Sequence, residues 1–264
     1  MTFDQFWHGR LGRPYRLYVK DHGGNGPVVV LLHGIAASSD DWREVVAALQ
    51  NDYRIITIDL LGFGRSPKPQ WASYRMEQHI RHVEAALARA YPRGKFILIG
   101  HSLGSLLATR LSRRHPQRVS RLLLLSPPVY PPLQTITSQA ARRRTALYFR
   151  LYKFLRLHPR VSERNFERLK RLLPLPASVI KQPLTWLPFE RTLEHCIEQQ
   201  TIMADIVAVR APVDIFYGTL DGVIVPYNIE ALEHLQGVSV HRLARQNHDL
   251  TRRYALAVAK LLTD

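Results

Sequence analysis

Residues 98–106 read LIGHSLGSL: an apolar run, a serine set between two glycines, and a second apolar stretch. KFILIG (95–100) leads in with the character of a buried strand, and SLLATRLSRRH (105–115) leads out with helical spacing. A serine at such a junction occupies a sharp, strained turn, so its neighbours must be small for strand and helix to approach. Gly100 and Gly104 supply that clearance. The turn also leaves Ser102 at a helix N-terminus, where unpaired amides and the helix dipole favour developing negative charge. Ser102 is therefore read as a nucleophile, the plainer alternative being small-residue packing at a helix start.

A serine hydroxyl is a weak nucleophile near neutral pH and needs a base, which in turn needs an orienting acid. In an open α/β sheet those partners belong on loops at the carboxyl ends of later strands. VDIFYGTLDGVIVP (213–226) places Asp221 just past one strand, and VSVHRLARQNHDL (238–250) places His248 just past the next. Serine, acid, histidine is the chain order expected of a triad on this sheet. Asp214 lies inside a strand pattern, Asp249 is adjacent to His248, and Asp205 is remote, so Asp221 is preferred. His241 also falls within a strand, and His101 reads as a packing residue of the turn.

Outward from the serine, short β-branched runs alternate with helical patterns, the signature of a parallel sheet covered by helices. Strands are expected at 27–33, 53–59, 95–100, 121–126, 212–218 and 238–243. Helices are expected at Asp41–Gln50, Met76–Ala90, Leu103–His115, Tyr227–His234 and Thr251–Leu262. YRLYVKD (15–21) is expected to form an antiparallel edge pair with residues near Phe3–Trp7. The alternation fails after Ser126, where Pro127, Pro128, Pro131 and Pro132 each lack an amide donor. The chain is thus divided into an α/β core, 1–130 and 206–264, and an inserted helical lid, 131–205. Leu133, Ile136, Leu184, Trp186 and Leu187 read as ordinary core of that insertion rather than as a greasy pocket.

The 264 residues suffice for one large core with an insertion. The single cysteine, Cys196, excludes an internal disulfide, no spacing of histidines and cysteines suggests zinc, and no cofactor is implied. The opening stretch has no signal-like apolar run, and the chain reads as cytoplasmic. Its net charge is +16, and the segment from Gln139 to Gln182 holds twelve basic residues against Glu163 and Glu167. ARRRTALYFRLYKFLRLHPR (141–160) interleaves those charges with Ala146, Leu147, Phe149, Leu151, Phe154, Leu155 and Leu157. One reading buries this apolar face over the site with solvated arginines outside; another docks it on an anionic membrane surface; a third attracts an anionic substrate. Nucleic acid is not expected as a partner, because no recognition motif or set of stacking aromatics accompanies the charge.

LLHGIAAS (31–38), DLLGFGRS (59–66), GHSLG (100–104), GTLDGVIVP (218–226) and NHD (247–249) occur in this order, and together they resemble the α/β-hydrolase superfamily, in its lidded esterase and lipase-like branch. The similarity covers about residues 13–126 and 207–264, with one departure, Asn247, where the family commonly has glycine. The resemblance implies that the backbone amides of Ile35 and Leu103 form an oxyanion hole, that His33 hydrogen-bonds within its loop, and that DLLGFGRS is a structural turn. It further implies a serine hydrolase cleaving carboxylic esters, with Ser102, His248 and Asp221 as the triad and an apolar small-molecule ester as substrate. The same triad could instead serve hydrolysis of a carbon–carbon bond beside a carbonyl, or persist in a ligand-binding or signalling protein with poor turnover.

Overall fold

The computed structural model describes residues 2–158 and 185–263. Seven strands form one sheet: β1 (Val19–Asp21), β2 (Val28–Leu32), β3 (Arg54–Ile58), β4 (Phe96–His101), β5 (Val119–Leu125), β6 (Val213–Gly218) and β7 (Val238–Leu243). Their order is β1-β3-β2-β4-β5-β6-β7, with every pairing parallel except that of β1 with β3. The expected partner of the edge strand is therefore corrected. Val19–Asp21 pairs with Ile56–Ile58, whereas Gln5–Arg10 near the start of the chain forms a short π-helical turn. Apolar Ile56 and Ile58 give β1 a buried edge to join; Phe3 and Trp7 instead stack on each other and stay exposed.

Alternate residues of a strand face opposite sides, and the central strands place apolar residues on both, so the sheet has two cores. Val28, Val30, Leu32, Leu98, Leu122, Leu124 and Ile215 face one side, under α2 (Met76–Ala90) and α3 (Leu103–Arg114). Val29, Leu31, Ile55, Ile99, Leu123 and Phe216 face the other, under α1 (Arg43–Leu49) and α8 (Arg252–Thr263). Between β5 and β6 the described residues are mostly helical: α4 (Gln139–Leu157), α5 (Trp186–Thr192), running into a π-helical turn to Glu198, and α6 (Ile202–Ile206). α7 (Pro226–Glu230) follows β6. Ile136 is buried, and Leu133, Trp186 and Leu187 pack against the first core, in keeping with an ordinary packing role. Leu184 and the basic residues Arg160, Arg164, Arg168, Lys170, Arg171 and Lys181 lie outside the described residues.

α4 buries only part of the apolar set expected of it, Leu155 being buried and Phe149 packing against the first core. Its buried stripe is Ala141, Thr145, Tyr148 and Leu155, whereas Leu147, Phe154 and Leu157 are exposed. Within that stripe Tyr148 donates to the Gly222 carbonyl and Thr145 accepts from the Asn228 side-chain amide at 3.1 Å.

Candidate active site

The chain runs from β2 to β3 on one side and then crosses to β4 on the other, which opens a crevice at the carboxyl ends of β2 and β4. Ser102 stands there, between β4 and α3, with φ 52° and ψ −119°. A non-glycine residue in that region stores about 1–3 kcal/mol and persists only where packing enforces it. Here packing does: a Cβ on Gly100 would lie 2.3 Å from the Gly104 carbonyl oxygen, and one on Gly104 would lie 2.0 Å from that of Leu32.

The loop after β2 runs beside this turn, so that a Cβ on Gly34 would come 3.2 Å from the Ser102 Cβ. His33 fixes the loop. Its Nδ1–H donates to the Gly34 carbonyl at 2.7 Å and its Nε2 accepts from the Leu60 amide at 2.9 Å. With both nitrogens engaged and its pKa lowered by burial, His33 is a structural residue and not a base. The amides of Ile35 and Leu103 donate to no protein acceptor among the described residues, so both are available to a ligand oxygen. Asp59 holds the adjoining turn, accepting from the amides of Ser39 at 2.6 Å and Arg65 at 2.8 Å.

Asp221 and His248 lie on loops after β6 and β7, which are drawn together by backbone bonds from Thr219 to Leu243 (3.0 Å) and from Leu220 to Gln246 (2.9 Å). His248 Nδ1–H donates to Asp221 Oδ2 at 2.7 Å, and both side chains are buried. Burial opposes ionisation of Asp221, but His248, the Ser126 hydroxyl and the Val223 amide outweigh it and hold the carboxyl below its ordinary range. His248 Nε2 is buried and has no hydrogen-bond partner among the described residues; its bond to Ser102 is not formed. Such bonds are often long before substrate binds and tighten in the reacting complex. Asn247 replaces the usual glycine without loosening the loop, because its Oδ1 accepts from the Asp249 amide at 3.2 Å and closes a local turn.

The rejected candidates have other partners. Asp214 binds Arg121 at 2.8 Å and His241 at 2.9 Å, and Asp205 binds Arg110 and Arg113. His101 does more than pack. Its Nε2–H donates to the His248 carbonyl at 2.9 Å, the two rings lie 4.9 Å apart, and burial pushes its pKa down to about 3. A cavity of about 680 Å³ reaches His101 and Asp249 but is otherwise lined by residues of β1, α1 and the turn before it, with neither Ser102 nor His248 on its wall. It is not assigned to substrate.

Sequence reading missed a supporting chain. Ser126 Oγ donates to Asp221 Oδ2 and accepts from Tyr254 OH, both at 2.6 Å. It also missed the hold of α4 and of Tyr130, at the edge of the core, on the acid loop, in which three successive carbonyls are capped: Asp221 by Arg144 at 3.3 Å, Gly222 by Tyr148, and Val223 by Tyr130 at 2.6 Å. Nothing local in the sequence names the acceptors of Tyr148 and Tyr254. Among the described residues no cluster of His, Cys, Asp and Glu could hold a metal, and no helix is long and apolar enough to cross a membrane.

A probable lysophospholipase from Arabidopsis thaliana, BODYGUARD 3, is 35% identical over 133 residues, which is 47% of this chain but 27% of that protein. The 2-hydroxy-6-oxo-6-(2'-aminophenyl)hexa-2,4-dienoic acid hydrolase of Metapseudomonas resinovorans is 33% identical over 105 residues, 39% of this chain and 36% of that one. The chain thus spans well under half the length of these relatives. An epoxide hydrolase from Bacillus megaterium superposes with a TM-score of 0.70 at 20% identity, covering 94% of this chain and 95% of that one, which speaks to the fold alone. The family model described as alpha/beta hydrolase fold matches residues 27–250, a span that takes in the six parallel strands β2 to β7, the serine turn and the loops bearing Asp221 and His248, and the chain belongs to that family.

Proposed function

We propose that the protein is a serine hydrolase of carboxylic esters acting through an acyl-enzyme. Ser102 Oγ attacks the ester carbonyl while His248 Nε2 takes its proton. The oxygen of the tetrahedral intermediate is held by the Ile35 and Leu103 amides, each such donor being worth about 3 kcal/mol of barrier. His248 then passes the proton to the leaving alcohol, and water repeats the sequence to free the acid. Asp221 keeps the imidazole in the tautomer that leaves Nε2 able to accept, and stabilises the imidazolium formed.

The observation that carries this reading is the buried Asp221–His248 bond, which leaves an unpartnered Nε2 on a loop tied to the residue next to Ser102. A fluorophosphonate should label the protein on Ser102, and p-nitrophenyl esters should turn over steadily. Ser102→Ala should lose both, with activity falling on the order of 10⁴-fold or more. Labelling that survives this substitution, or p-nitrophenol release that stops at one equivalent, would sink the proposal. Similarity to the Metapseudomonas hydrolase favours a second reading, cleavage of a carbon–carbon bond beside a carbonyl by the same three residues. A higher kcat/KM on such a dienoic acid than on any ester of an acyl-length series would select it.

A further inference from the structure

α4 presents two opposed stripes. The inner one carries Tyr148 to the carbonyl of Gly222 in the acid loop, and Thr145 to Asn228 at 3.1 Å. On the outer one, Arg143, Leu147, Arg150, Phe154 and Leu157 recur alternately four and three residues apart, with Lys153 at its flank. Leu147, Phe154 and Leu157 are 62%, 43% and 55% exposed, on a helix with no acidic residue. Several neighbouring arginines are occupied: Arg142 by the Ile136 carbonyl, Arg144 by Tyr148 and Asp221, and Arg156 by Glu194 and Glu198. Arg143, Arg150 and Lys153 have no side-chain partner among the described residues.

We propose that this outer stripe docks the protein on an anionic lipid bilayer. Apolar side chains flanked by cationic ones at helical spacing suit a helix lying in the plane of the interface: aliphatic and aromatic groups enter the acyl boundary and guanidinium and ammonium groups meet lipid phosphates. A nucleic-acid backbone would satisfy the charges but bury none of the three apolar side chains. Because the inner stripe of the same helix holds the acid loop, docking would set the Asp221 side of the site toward the lipid. The binding itself does not depend on the ester-hydrolase reading.

Sedimentation of the full chain with vesicles tests this. The protein should pellet with equimolar phosphatidylcholine and phosphatidylglycerol and stay in solution with phosphatidylcholine alone, and added salt should weaken the binding. Arg143→Gln, Arg150→Gln and Lys153→Gln should each weaken it about fivefold. Leu147→Ser with Phe154→Ser, both on the surface and so expected to fold, should reduce it further while circular dichroism stays unchanged. No binding to the anionic vesicles at low salt, equal binding to both kinds, or wild-type binding by the glutamine variants would overturn the proposal. A dimer dissolved by the double serine variant, or duplex RNA bound through the three cationic residues by protein that ignores vesicles, would overturn it equally.

Discussion

Ser126 sits at φ 48°, a conformation that glycine tolerates better, at the end of β5. The strain has a visible return: its hydroxyl reaches Asp221 Oδ2 on the neighbouring loop while accepting from Tyr254. With His248 on the same oxygen and the Val223 amide on Oδ1 at 2.8 Å, the carboxylate accepts three hydrogen bonds from within the protein. A hydrogen bond to a charged group contributes about 1.5–3 kcal/mol. Ser126→Ala is therefore expected to lower kcat on an ester at least about tenfold with KM little changed, if the bond is felt in the transition state. A wild-type kcat would show that His248 and Val223 alone position the acid. The sign of the pH effect follows from the depressed carboxyl: it favours folding above the ordinary carboxylate range, and that contribution fades as pH falls through the folded value. Ser126 and Tyr254 are 95 and 128 residues from their partners along this chain of bonds, and no spacing rule reaches that far.

At the scale of elements, the return from the insertion to the sheet is pinned to the serine helix. Asp205 on α6 is buried and accepts two bonds from Arg110 Nε, at 2.9 Å to each oxygen, one from Arg113 at 2.7 Å, and one from Thr201 at 2.8 Å. Removing one partner of a buried pair leaves the other desolvated and uncompensated. Asp205→Ala should cost about 3 kcal/mol, measured by urea unfolding, because among the described residues Arg110 then keeps Glu77 alone as a counter-charge. A loss below about 0.5 kcal/mol would mark the cluster as solvent-screened instead. Strands and helices themselves were legible from apolar runs and helical spacing, and most boundaries fall within a residue or two; the helix expected at Tyr227–His234 instead ends at Glu230 and gives way to a 3-10 turn, and the edge strand is confined to Val19–Asp21. The stripe that α4 buries was legible only in part, because Tyr148 and Arg144 are drawn to carbonyls of the acid loop far along the chain.

Across the whole molecule, histidine burial sets the response to acid. His79 and His101 are pushed down to about 3 and His82 to about 4, chiefly by desolvation, and His33 is lowered for the same reason. Below pH 6.5 the unfolded chain binds protons at these positions that the folded one refuses, so stability falls with pH from there toward 4. Each such group contributes a slope of up to about 1.4 kcal/mol per pH unit. Urea unfolding at pH 7, 6 and 5 should show this decline, and His82→Gln should make it shallower; stability that holds level down to pH 5 would contradict it. The sequence alone determined the parallel sheet, the turn that carries Ser102, and the order in which Asp221 and His248 follow, because periodicity, small residues at a tight turn and strand ends are local properties. Only the tertiary structure decided what holds Asp221 in place and which side of α4 meets solvent, because those depend on groups that meet across the sheet after the chain has closed on itself.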